Sequence, residues 1–149
     1  MTLWRDEALA AVNEVLTQCE SNARHHRYSA EVLAAPALAG SLQRLAAERE
    51  RMAEQLAYQL RAHGDLPDAS DSELDSLHEL GDRLMARLAA RGTAVLLRER
   101  AEDERRLAAA AQLALGHAVP GDVRPQLEHI RASAQQAATQ VATLVDRDA

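Results

Sequence analysis

The residues of this 149-residue chain best suited to chemistry are six histidines, a single cysteine and 23 carboxylates. In a helical bundle, a carboxylate-bridged metal pair takes one Glu from each of two helices. It takes a Glu-x-x-His from each of the other two, because residues three apart share a helix face. Asn22, Ala23, Leu60, Ala114 and Gln126 stand three residues before His25, His26, His63, His117 and His129. Only His78 follows an acid at that spacing, Asp75, and no Glu-x-x-His occurs. The reading is therefore no metal, catalytic or cofactor-binding residue. The alternative is a degenerate carboxylate site that binds iron or another metal through Glu20, Glu48, Glu99, Glu102, Asp103 and Glu128. That alternative requires the six to converge inward.

Other candidates are weaker. Adjacent His25 and His26 point about 100° apart on a helix and cannot readily share an ion. His78-Glu79 resembles the start of a zinc-protease helix, but Asp82 stands where the second His is needed. Cys19 sits among apolar seam positions and reads as an inert buried thiol. No Gly-rich phosphate loop is present, and nothing places Ser, His and Asp as a triad.

The elements that must position these residues are helical. Hydrophobic residues make up 47%, yet aromatics are 2% and Phe is absent, so Ala, Leu and Val carry the apolar content. Apolar steps of three and four mark a first helix over about 3–34, with seam Leu9, Val12, Leu16, Cys19, Ala23, His26, Ala30 and Leu33. Pro36 ends it and opens a second over about 37–63, with seam Leu38, Leu42, Leu45, Arg49, Met52 and Leu56. Gly64 stops that helix, and Ser70 with Glu73 reads as a capping box for a shorter third over about 72–91. Thr93 can cap a fourth, about 94–117, whose stripe of Leu96, Leu107, Ala110 and Ala114 is irregular. Asp122 can cap a fifth, with seam Val123, Leu127, Ile130, Ala134, Ala137, Val141 and Leu144.

Four of these segments hold roughly 24–32 residues, about 36–48 Å each, and can line a common core. The expectation is one all-α domain over 1–149: an antiparallel four-helix bundle. A short crossover helix, in a segment at about 64–93, joins the second and third long helices, which is the long-crossover topology of ferritin-like bundles. A five-helix up-and-down bundle is the alternative.

Polar residues interrupt the seams. His26 and Arg49 fall on the first two apolar registers, and Glu99 and Asp103 lie near that of the fourth helix. One reading is an internal layer in which Arg49 pairs with Asp103 or Glu99 beside His26. Buried charges must be paired, because desolvating each costs several kcal/mol. The other reading leaves Arg49 and Glu99 at the rim with their heads in water.

The chain also resembles a bacterial family of ferritin-like four-helix-bundle proteins of unknown function. Cys19-Glu20, Arg27 and Ala30-Glu31 match its first helix. Pro36, Leu45-Ala46, Arg49, Ala53 and Leu56 match its second, and Ser70, Leu77-His78, Leu84 and Leu88 its crossover. Val123-Arg124, Val141 and Leu144-Val145-Asp146 resemble its last helix. The resemblance implies a ferritin-like fold, self-association and, from some members, a link to stress responses. Where that family has acids near Ala23 and a His at Ala138, this chain has alanines, and Arg51 stands where a ligand His would be required.

A net charge of −6 with interspersed Arg and Glu speaks against nucleic-acid binding. The single Cys, the lack of an apolar leader and the lack of a membrane span lead to an expectation of a cytoplasmic protein. The partner expected is a second copy, as a homodimer, with an unidentified protein partner as a further possibility. Trp4 could anchor such an interface or pack over the bundle end.

Overall fold

A computed structural model describes residues 6–65 and 74–148. Trp4, Ser70 and Glu73 lie outside the described residues. Among those described there are five helices and no strand: α1 (Asp6–Val32), α2 (Pro36–Ala62), α3 (Leu74–Arg91), α4 (Thr93–Leu115) and α5 (Val123–Asp148). None of them is long and apolar enough to cross a membrane.

The boundaries follow local chemistry. Pro36 occupies the first turn of α2, where its missing N–H is no loss. At the other end Gly64 takes φ 83°, its N–H donates to Arg61 O, and the N–H of Asp65 donates to Leu60 O. This paired C-terminal closure favours glycine at the left-handed position. Gly92, at φ 86°, turns α3 into α4 and occupies the cap position expected of Thr93, which is instead the first helical residue. The first N–H groups of α5 donate to Pro120 O. Asp122 accepts a hydrogen bond at 2.7 Å from His63 Nε2, and its carbonyl accepts another from Gln59 Nε2. The start of α5 is thereby fastened to the end of α2.

Four helices surround the core. α1 packs on α2 and α4, α5 packs on α4 and α2, and α3 lies against α1 and α4. Contacts fix the directions. Asn22 reaches Glu104 while Ser29, further along α1, reaches Arg100, so α1 and α4 are antiparallel. The tight turn at Pro36 makes α1 and α2 antiparallel as well. α2 and α4 therefore run the same way on opposite corners.

The core is split in two. One apolar half gathers Val12, Leu16, Leu56, Leu107, Leu127 and their neighbours. The other gathers Leu33, Leu42, Leu84, Leu97, Val141 and theirs. Seam positions read from the sequence are mostly buried, with Leu9, Ala110 and Leu144 only partly so. Ala108, Ala111 and Ala114 of α4 and Ala134, Ala137 and Ala138 of α5 are all buried, and these small side chains let the two helices approach closely.

Candidate functional site: a polar layer across the bundle

Between the apolar halves lies a plane of charged and polar side chains. Arg49 and Glu104 have no exposed surface, and neither do His26 or Asn22. Arg49 leaves α2 and crosses the bundle diagonally to α4. Its Nε donates to Glu104 Oε1 at 2.9 Å, and its Nη2 donates to the same oxygen. From α1, Asn22 Nδ2 donates to Glu104 Oε2 at 2.8 Å, and His26 Nε2 contacts that oxygen at 2.9 Å. From α5, Ser133 Oγ accepts from Arg49 Nη1 at 3.0 Å. All four long helices meet at one guanidinium–carboxylate pair.

The roles of the atoms follow from what each can do. A carboxylate only accepts, so the Nε2 of His26 carries the proton. His26 Nδ1 is buried without a partner. Burial pushes the Glu104 carboxyl up, but hydrogen bonds from His26 and Arg49 and the Arg49 charge outweigh it. Its titration lies below the ordinary carboxylate range. Burial pushes the nearby Cys19 thiol up to about 12, so it is not a nucleophile near neutral pH.

The structure places the four residues expected in such a layer at different points. His26 and Arg49 are inside it. Asp103 and Glu99 are not the partners of Arg49; Glu104 is. Asp103 sits on the α1 side of α4, where its Oδ2 lies 2.9 Å from Arg100 Nε and its Oδ1 accepts from Arg106. The Arg100 Nε–H is not directed at that oxygen, so the contact is an ion pair without hydrogen-bond alignment. Glu99 is half-buried and pairs with Arg87 of α3. Glu104 was detectable: Leu97, Ala101, Glu104, Ala108, Ala111 and Leu115 form a regular four-three seam, all buried. The stripe read through Leu96 and Ala110 runs beside it.

The six alternative carboxylates do not converge. Glu102 and Glu128 are exposed, Glu20 and Glu48 are half-buried on different helices, and Asp103 and Glu99 are occupied by arginines. Among the described residues no three His, Cys, Asp or Glu side chains are placed to share a metal ion.

A second network flanks the layer on α1 and α4. Arg100 Nη1 donates to Ser29 Oγ at 3.0 Å. His25 turns away from His26, and its Nδ1 donates to Ser21 O at 2.9 Å. Burial, followed by the Arg100 charge, lowers the His25 pKa.

The opposite wall is open. α2 and α5 are neighbours with little direct packing, and two adjoining grooves of about 540 and 390 Å³ run between them. They share Glu48 and Ser133, directly above Arg49. Long polar side chains, among them Arg44, Arg51 and Gln140, line the gap. Compared with protein families, curated proteins and solved structures, the chain matches none.

Proposed function

We propose that this chain is a non-catalytic, self-associating helical scaffold with ferritin-like connectivity, acting through its surface. The path supports the connectivity: α2 and α4 run parallel on a diagonal, with α3 as the return. One observation carries the non-catalytic reading. Glu104 is the one carboxylate with no exposed surface among the described residues, and both its oxygens are already bound by Arg49, Asn22 and His26. A metal at the bundle centre would have to displace a guanidinium from the one carboxylate it hydrogen-bonds, leaving a buried cation with only Glu48, at 4.0 Å, beside it. The centre therefore serves to hold four helices in one register. Self-association as a homodimer, implied by the family resemblance, is the proposed mode of action.

The test has two readings on the purified, untagged protein. Anaerobic incubation with ferrous iron and desalting should leave far less than one metal per chain. Retention of about two irons per chain, lost in Glu48→Ala/Glu102→Ala, would replace this reading with a metal-binding one. Light scattering over a concentration series should give a mass above that of one chain.

A further inference from the structure

The surface that distinguishes this bundle is the trough between α2 and α5, and its charges are arranged in a fixed order. Arg44, Glu48 and Arg51 follow one another along the α2 side. Both arginines are exposed, and neither is ion-paired among the described residues. Arg44 reaches only the Ser41 hydroxyl. Elsewhere on the surface Arg27 is held by Glu50, Arg87 by Glu99 and Arg105 by Glu102. Glu48, its side chain half-buried, has Oε2 4.0 Å from Arg49 Nη1. The trough thus offers two cations seven residues, or about 10.5 Å, apart.

The chain carries the complement of this pattern. Glu7 and Glu14 of α1 are exposed and also seven residues apart. Among the residues whose side-chain exposure is described, they are the only exposed carboxylates seven apart on one helix, and neither has an ion-pair partner there. Between them the helix presents Ala10, exposed and small, at the level where Glu48 lies in the trough. A helix laid along the trough brings both carboxylates to both arginines and sets no charge against Glu48. Within one chain, α1 is packed between α2 and α4 and cannot reach the trough.

We infer that the α2/α5 trough is the docking surface for the first half of α1 from a second copy of this chain, with Glu7 and Glu14 paired to Arg44 and Arg51. The inference rests on the self-association proposed above and names its interface. Two reciprocal contacts of this kind close a dimer; a one-way contact extends a chain of copies. The four side chains are exposed and none is bonded to the polar layer, so their exchange leaves the fold in place.

The experiment is charge reversal followed by sedimentation velocity, with thermal melts by circular dichroism to establish that each variant is folded. Arg44→Glu/Arg51→Glu alone and Glu7→Arg/Glu14→Arg alone should each weaken self-association by about tenfold or more, because each turns two attractions into repulsions. An equimolar mixture of the two should associate again, since each contact between unlike copies then joins opposite charges. Wild-type association that neither reversal weakens would overturn the inference while leaving self-association intact. Weakening without recovery in the mixture would also overturn it, because α1 would not be the occupant. A wild type that stays monomeric throughout would overturn both the inference and the proposed mode of action.

Discussion

The two walls of the bundle that flank the polar layer are built in opposite ways. On the α1–α4 wall the layer is locked from several directions: Asn22 Nδ2 donates to Glu104 Oε2 and to the carbonyl of Asp103, His26 contacts the same Oε2, and Arg100 donates to Ser29. On the α2–α5 wall a single hydrogen bond, Arg49 to Ser133, ties the layer to α5, and the helices separate into a trough. The same ion pair therefore holds one wall closed and only touches the other. Asn22 and His26 of α1 add to the Arg49–Glu104 pair in offsetting its desolvation, whereas α5 adds only Ser133.

The largest effect should come from breaking the ion pair. Glu104→Leu strands Arg49 as a buried cation and should cost about 3–5 kcal/mol in urea unfolding. Arg49→Met/Glu104→Leu removes both charges and should unfold close to the wild type, or later. A single-variant loss below about 1 kcal/mol would mean that Arg49 is solvated or re-paired without Glu104, and that the ion pair does not hold the closed wall.

Much of this was legible in the sequence, and the limit is instructive. The helices were readable because Leu and Ala recur at three–four spacing and because Pro36, Gly64 and Gly92 punctuate them. Arg49 and His26 were readable as candidates for a layer because each interrupts an otherwise apolar register, although a rim position for Arg49 stayed open. Glu104 was not found because α4 packs on α1, α3 and α5 together, so its buried arc is wide and includes Leu96, Leu97, Arg100, Asp103 and Glu104. On a helix buried over that much of its surface, a one-residue difference in register moves a side chain by about 100°. That difference separates Asp103, on the α1 side, from Glu104 in the centre. The openness of the α2–α5 wall leaves no sequence signal of its own; it depends on how the polar side chains of two helices distant in sequence meet.

The next effect sharpens the contrast on the closed wall. Asn22→Leu removes three hydrogen bonds at once, two to α4 and one accepted from Gln18 Nε2, and leaves the Asp103 carbonyl short of its partner. It should destabilise by about 1–3 kcal/mol, measured by the same unfolding. A loss equal to that of Ser133→Ala would erase the asymmetry between the walls.

Acid should act through the closed wall in two stages. His25, whose pKa is lowered from 6.5 by burial and the Arg100 charge, takes a proton more readily in the unfolded chain. Stability is therefore full above that value and declines as pH falls through it. Glu104, lowered from 4.5, contributes stability present above its unfolded value and lost as pH falls through its folded one. Melting temperature against pH should fall in both windows. In His25→Gln the first decline should be reduced and the second kept; an unchanged first decline would remove His25 from the account.

The smallest effect belongs to the open wall. Ser133→Ala deletes the one hydrogen bond that links the layer to α5. Ser133 is only partly buried and lines both grooves, so Arg49 Nη1 can turn to water entering from the trough, as a donor on the α1 side could not. The loss in urea unfolding should stay below about 1 kcal/mol. Hydrogen exchange should then rise in α5 around the substitution and stay unchanged in α1, because α1 is held by Asn22 and His26 independently of Ser133. A loss of about 3 kcal/mol, with exchange rising in all four helices, would mean that Ser133 seals the layer and that the two walls are equally closed.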